Sequence, residues 1–455
     1  MTTGDLLVSI AAIDPARPAL LDDTASEWLS YGALCARAAN WAARLSGARA
    51  LMFLYAANDI DTVAALLGGM EAGHAVVLFD PSLPRASRDA LEATYAPEWV
   101  VEDGRAEDRR SGAAASDLHP ALTVLLSTSG STGSPKLVRL TRSAITANAT
   151  GIAEVLDIQG DDVAAGYLPL HYSYGLSVLT SHLVRGARIR LTAAGLTDRA
   201  FWPAMRTAGV THMPGVPFHH QVMAKLGFAR LGLDRLRTLT QAGGAMDAEL
   251  RRRCHDHMSA VGGCFYVLYG QTEAAPRMTT LQPADFLVAP TSAGTPLPEC
   301  RLEIIDADAQ GVGEVVFHGP NVMMGYAECR ADLVRGDELG GMLRTGDVGY
   351  MDDAGRLHLT GRVKRFGKVF GLRVNLDDVE MVANTVCDSA VTQEGEALVV
   401  SYAHDGDDET VRQAIVGRLT DRFTVTLAGY RFRRLAAVPR TARGKVDYKA
   451  LETAT

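Results

Sequence analysis

Residues 122–136 read LTVLLSTSGSTGSPK, and this stretch decides the fold. Its first part, 122–128, is a short apolar run of the kind that forms a buried strand. Its second part places five hydroxyl residues, two glycines and a lysine in the nine positions 128–136. Gly130 and Gly133 let backbone N–H groups turn inward as a nest. Thr128, Ser129, Ser131 and Thr132 add hydroxyl donors, and Lys136 adds a positive charge. Such a loop suits the β- and γ-phosphates of a nucleotide. The GxxxxGK[ST] spacing is absent, so it is not a Walker loop.

Outward from this loop, apolar runs alternate with helical spacing. Ile145, Ala149, Ile152, Ala153 and Leu156 recur on one helix face, with Thr141 as the expected N-cap. Strands are predicted at 187–191, 236–240 and 265–268. Phe201, Met205 and Ala208 mark another helix face, and Asp247 caps a predicted helix carrying Leu250 and Cys254. Residues 31–79 have the same texture. Alternation of this kind predicts an α/β fold with largely parallel strands. From Leu302 the pattern changes to short strands with turns (RLEII, GEVVFHG, GRLHLTGR), which predicts an antiparallel region, and after Gly361 a shorter unit of about 90 residues follows. Residues 102–117 (EDGRAEDRRSGAAASD) read as a surface loop or linker, and 404–409 (HDGDDE) as an acidic turn.

Composition narrows the function. The 455 residues are 47% hydrophobic and 22% charged, which excludes disorder, collagen and coiled coil as the dominant character. Lys and Arg number 45 against 53 Asp and Glu, a net charge of −8, so nucleic acid is not expected as the principal partner. Any anion must be held by local positive features instead. Glycine, at 44 residues, exceeds the usual ~7%, which fits loops that bring backbone close to a ligand. Cys35, Cys254, Cys264, Cys300, Cys329 and Cys387 are scattered, without metal-binding spacing, and fit reduced thiols in a cytoplasmic setting. No targeting or membrane segment is expected, because no basic start precedes an apolar core and no run of ~18 apolar residues occurs.

Further segments stand in a telling order. LPLHYSYGL spans 168–176. Gly243-Gly244-Ala245 follows LRTLT, and Tyr269-Gly270-Gln271-Thr272-Glu273 follows CFYVL. Gly346-Asp347 lies in LRTGDVGY and Gly361-Arg362 in LTGRVKR. KVFGLRVNLDDVE covers 368–380 and PRTARGKVD covers 439–447. Together with the phosphate loop they resemble the adenylate-forming superfamily: acyl-CoA synthetases, luciferase-like enzymes and nonribosomal peptide adenylation domains. The resemblance covers nearly the whole chain.

The resemblance implies an architecture and a set of roles. A large N-terminal domain, 1–363, would combine mixed and parallel sheets, helices and a distorted antiparallel β subdomain, and a small mobile α+β domain, 364–455, would pivot at Lys364. Gly243, Gly244 and Ala245 would lie against adenine. The Tyr269 ring would cover the purine face beside Gly270 and Gln271. Thr272 would donate to the α-phosphate and Glu273 would bind Mg²⁺. Asp347 would accept from both ribose hydroxyls, with Arg362 adding charge near ribose and phosphate. Lys445 would enter the site to steady the carboxylate and bridging oxygen during adenylation. Lys368 and Gly371 would belong to the face used in the second step, with Gly371 lining a thiol channel.

The acid pocket would be bordered by Tyr172, Ser173, Tyr174, Gly175, Phe218, Gly243 and Arg277. The run HYSYG lacks the Asp that amino-acid-activating relatives use, which disfavours an α-amino acid. His219 and His220 are expected on the surface of their helix. The implied reaction joins ATP to a small organic acid, aromatic acids included. Transfer to the thiol of CoA or of a separate carrier protein would follow. Amide formation, nitrite activation for diazotisation of an aryl amine, and a lapsed nucleotide-binding module are the alternatives.

Overall fold

Leu51–Tyr55 and Ala75–Phe79 are apolar at every position, the pattern of strands covered on both faces. In the computed structural model they pair in parallel, Leu51 opposite Ala75 and Tyr55 opposite Phe79. Their side chains alternate between two cores: Met52, Leu54, Val76 and Leu78 enter one, while Leu51, Phe53, Tyr55, Val77 and Phe79 enter the other. The structure describes residues 5–110, 117–127, 136–362, 365–369, 372–395, 397–423, 427–441 and 446–453. Thr128, Ser129, Gly130, Ser131, Thr132, Gly133, Lys364, Gly371 and Lys445 lie outside the described residues, as does the side chain of Lys368.

The chain divides into two compact units, one of Met1–Leu302 with Phe317–Leu343, the other of Glu303–Val316 with Arg344–Thr455. The first unit holds two large sheets. A seven-stranded sheet runs in the order Gly325–Ala327, Leu137–Thr141, Leu122–Ser127, Ala75–Phe79, Leu51–Tyr55, Trp99–Glu102, Arg105–Asp108. A nine-stranded sheet has six consecutive parallel strands: Cys264–Gly270, Thr238–Gln241, His212–Gly215, Val163–Gly166, Arg188–Leu191 and Pro18–Leu21. Antiparallel strands close both of its edges. The expected α/β architecture is therefore present, with strand mixing confined to sheet edges.

Helix starts follow local chemistry. Thr141 caps Arg142–Val155 by accepting from Ala144 N–H, and Asp247 caps Ala248–Ala260 by accepting from Leu250 N–H. Phe201, Met205 and Ala208 form the buried stripe of Phe201–Ala208. The second unit carries most of a four-stranded sheet that ends on the antiparallel pair Met342–Met351 and Leu357–Arg362. It also has a three-stranded sheet and the helices Leu376–Asn384 and Asp408–Arg422.

Two expectations need correction, and one strand was not foreseen. Residues 102–108 are not loop: Trp99–Glu102 and Arg105–Asp108 form a hairpin turned by Asp103 and Gly104, both at positive φ. The Asp-Gly pair is a hairpin signal that composition alone obscured. Between Lys136 and the helix that Thr141 caps, Leu137–Thr141 adds a strand that pairs antiparallel with Leu122–Ser127. The acidic segment 404–409 is only partly a turn, since Asp407 caps a helix that already includes Asp408 and Glu409.

Candidate functional site

Four adjacent parallel strands end on one side of the nine-stranded sheet, and the chemistry-bearing segments follow those ends. Val163–Gly166 leads to the 168–176 run, His212–Gly215 to Val216 and Phe218, Thr238–Gln241 to Gly243, and Cys264–Gly270 into Gln271, Thr272 and Glu273. The carboxyl ends of parallel strands are where open α/β sheets bind ligands.

The Tyr172 side chain is buried, and its hydroxyl lies against Gly243, where an added Cβ would stand 2.5 Å away. Gly243 also has φ 83°, so both space and backbone require glycine there. Gly244 and Ala245 are exposed, and Gly244 O accepts from Gln241 Nε2 at 2.8 Å. Ser173 Oγ and Thr272 Oγ1 are 3.2 Å apart, which joins the 168–176 run to the YGQTE segment. Gly175 serves packing: a Cβ there would lie 2.2 Å from Pro169 O. Phe218 is 46% exposed on its helix.

The YGQTE segment is half-buried from Tyr269 to Glu273. Gly270 cannot be replaced without movement, because a Cβ would come within 1.9 Å of Pro276 O. Asn321 Nδ2 donates to Ala274 O and Arg277 O at 2.6 and 2.8 Å. Asn148 Nδ2 donates to the same Arg277 carbonyl at 2.8 Å, and its Oδ1 accepts from Arg277 N–H. Two buried asparagines thus fix the turn that presents Thr272 and Glu273. Glu273 Oε1 accepts from the Tyr326 hydroxyl at 2.7 Å. Burial, and then the Glu273 charge, push the Tyr326 phenol above its ordinary range. The Tyr326 ring centre is 5.5 Å from Lys136 Nζ, which pairs with Glu328 at 2.7 Å.

A chain of polar groups lies behind Tyr174. His182 Nδ1 donates to Val178 O at 2.8 Å, leaving its Nε2 to accept from His212 Nδ1 at 2.9 Å. His212 Nε2 then faces Thr240 Oγ1 at 3.1 Å, and Thr240 Oγ1 faces the Tyr174 hydroxyl at 2.9 Å. Burial drives His182 down to about 4 and His212 further, so both rings are neutral. Arg277, 3% exposed, sits over the Tyr174 ring with its guanidinium carbon 4.7 Å from the centroid.

His220 corrects another expectation. It is fully buried, with Nε2 donating to Thr240 O at 3.2 Å, and burial lowers it to about 4. His219, half-buried, accepts from Val216 N–H at 3.3 Å and is likewise lowered to about 4. Only Phe218 of that trio faces outward, because the histidines fall on the helix side that packs on the sheet.

In the second unit, Asp347 is 5% exposed and pairs across the sheet with Arg362, whose Nε donates to Asp347 Oδ1 at 2.7 Å. Gly346 has φ 69°, which only glycine adopts cheaply. Lys368 falls in the strand Phe366–Val369, opposite Arg373 of Leu372–Asn375.

Asn148, Asn321, Tyr326 and the His182–His212–Thr240 chain escaped sequence reading. Each is a single polar residue inside an apolar or turn-rich run, with no spacing to mark it. Among the described residues no group of three or more His, Cys, Asp or Glu gathers as a metal cage. Nor, among them, is any helix long and apolar enough to cross a membrane.

Residues 92–327 match the family model of AMP-binding enzymes. A 2-succinylbenzoate–CoA ligase of Bacillus cereus is 34% identical over 250 residues, 54% of this chain and 50% of that protein. The chain thus spans about half the length of the curated relatives it matches. Among solved structures, the o-succinylbenzoate CoA synthetase MenE of Bacillus subtilis in complex with its acyl-adenylate intermediate superposes with a TM-score of 0.80 at 21% identity, covering 99% of this chain and 98% of that one. ATP-bound MatB of Rhodopseudomonas palustris gives a TM-score of 0.80 at 20% identity, with 99% and 98% covered.

Proposed function

The chain belongs to the family of AMP-binding enzymes, and from that membership we propose that it is an AMP-forming ligase that activates a small organic acid. In the first step the acid carboxylate attacks the α-phosphorus of ATP, giving an acyl-adenylate and pyrophosphate. In the second the thiol of CoA attacks the acyl carbonyl and AMP leaves. The relatives' description as CoA ligases supports CoA as acceptor.

The observation that supports this reading best is the gathering of Tyr172, Ser173, Gly243, Thr272 and Glu273 at the ends of adjacent strands. Thr272, its hydroxyl 3.2 Å from Ser173, donates to an α-phosphate oxygen. Glu273, one oxygen held by Tyr326, offers its other oxygen to a divalent cation. One carboxylate completed by phosphate oxygens and water is a usual donor set for Mg²⁺. When bound, Mg²⁺ would offset the charge of the phosphates. Lys136 and the loop residues 128–133 hold the outer phosphates, and Tyr269, Gly270, Gln271, Gly243, Gly244 and Ala245 hold adenine. Asp347 takes the ribose hydroxyls, with Arg362 beside it. Lys445 supplies a point charge on a flexible stem to the reacting carboxylate. Lys364 is the pivot between 1–363 and 364–455, and Lys368 and Gly371 serve the thiol step.

The test is acid-dependent ATP–pyrophosphate exchange and AMP release, with and without CoA, on the full chain. Exchange with at least one acid, nearly abolished in Lys445→Ala while ATP still raises the melting temperature, is the expected result. Absence of exchange and of AMP across a broad acid panel would overturn the reading.

A further inference from the structure

Arg277 begins the strand Arg277–Leu281, beside the YGQTE turn, and is 3% exposed. Its Nη2 reaches only the Ser177 hydroxyl, at a long 3.4 Å, and no acceptor among the described residues meets its buried Nε. Among the described residues no carboxylate bears on its charge either: the groups that do are the phenols of Tyr172 and Tyr174, and the ring of His212. That ring is neutral, locked between His182 and Thr240. The Tyr174 hydroxyl is engaged by Thr240, so Tyr174 offers Arg277 the face of its ring and not a charge. A guanidinium does not lose its proton at physiological pH. Among the described residues Arg277 is therefore a buried cation without a counter-ion, an unfavourable arrangement unless an anion completes it.

Its position fixes where that anion lies. Ser173 and Ser177 are four residues apart on the helix Ser173–Leu183, a rise of ~6 Å along one face. Ser173 touches Thr272, and Ser177 touches Arg277. The guanidinium thus stands roughly one helical turn from Thr272, the residue read as donating to the α-phosphate that the carboxylate attacks.

We propose that Arg277 forms a specificity subsite for a second anionic group on the acid, so that the substrates are short diacids, aliphatic or aromatic, and not monocarboxylic acids. The identity of the subsite as part of an acid pocket rests on the adenylation reading above. The guanidinium fork accepts a carboxylate in bidentate fashion, and Tyr174 holds its plane. A site built to pair a charge rejects an analogue lacking that charge far more strongly than an apolar pocket rejects a missing methylene.

The experiment compares matched acids on the full chain: glutarate and adipate against pentanoate, isophthalate and terephthalate against benzoate. Pyrophosphate exchange gives kcat/KM, and the acid-induced rise in melting temperature without nucleotide gives binding independently of catalysis. At least one diacid is expected to exceed its monoacid partner by about 10²-fold or more in kcat/KM. Arg277→Met should erase that preference, Arg277→Lys should keep part of it, and the diacid should stabilise the wild type but not Arg277→Met. Monoacids performing as well as diacids in the wild type, or a loss in Arg277→Met equal for both classes, would overturn the subsite while leaving adenylation standing. Diacid binding lost in Arg277→Met without exchange by any acid would keep the subsite and overturn adenylation. Absence of both binding and exchange for every diacid would overturn the subsite as well. Where Arg277→Met does not fold, the wild-type acid pairs and Arg277→Lys decide.

Discussion

Acid should destabilise the first unit through histidines that folding keeps neutral. His182, His219 and His220 are each held at about 4, against 6.5 in an unfolded chain, with desolvation as the first cause in all three. The unfolded state therefore binds more protons below pH 6.5, and stability must fall as pH falls from 6.5 toward 4. The slope is ~1.4 kcal/mol per pH unit for each histidine, reaching ~3 kcal/mol apiece once the pH approaches 4. Three together remove about 4 kcal/mol per pH unit, which is large beside a typical total stability of 5–15 kcal/mol. Urea unfolding at pH 7.5, 6.5, 5.5 and 5.0 measures this. All four tryptophans, Trp28, Trp41, Trp99 and Trp202, lie in the first unit, so their fluorescence reports that unit. His220→Gln, whatever it does to stability at pH 7.5, should flatten the dependence below pH 6 by about 1.4 kcal/mol per pH unit. Parallel curves for wild type and His220→Gln would refute the reasoning, since a histidine that titrates alike folded and unfolded adds no slope.

Two other outcomes follow from close contacts. Tyr326→Phe removes the hydroxyl that donates to Glu273 at 2.7 Å; a hydrogen bond to a charged group contributes ~1.5–3 kcal/mol, and partial exposure places this one at the low end. Pyrophosphate exchange should drop about tenfold, with the midpoint for Mg²⁺ raised, and an unchanged Mg²⁺ titration would show that Tyr326 does not hold the carboxylate. Gly270→Ala forces a Cβ to within 1.9 Å of Pro276 O, a backbone clash costing ~1–3 kcal/mol or more. The melting temperature should fall by several degrees and exchange should collapse, whereas a fully active, equally stable Gly270→Ala would contradict the described turn.

Much of this was legible in the sequence because it is local. Thr141 and Asp247 cap helices where their side chains reach the next turn, and the all-apolar run 51–55 must lie between two cores. The YGQTE and Gly-Gly-Ala segments mark themselves by composition at strand ends. What stayed hidden depends on partners far away in sequence. Asn148 and Asn321 meet at the Arg277 carbonyl from 129 and 44 residues away, which no window of sequence reveals. His220 looked like surface because two adjacent histidines read as polar, yet the helix phase turns both toward the sheet. The Asp103–Gly104 hairpin was lost because the charged residues around it resemble a linker.

Tyr326 sets a condition on exchanging parts of this protein with others. Its strand, Gly325–Ala327, pairs with Leu137–Thr141, so the residue that steadies Glu273 is registered against the strand that begins just after Lys136. Segment 128–136, expected to be a phosphate loop, would if transplanted alone arrive with Lys136 but without the phenol beside it. The smallest piece that can be grafted whole is therefore the loop together with both strands, drawn from positions nearly two hundred residues apart.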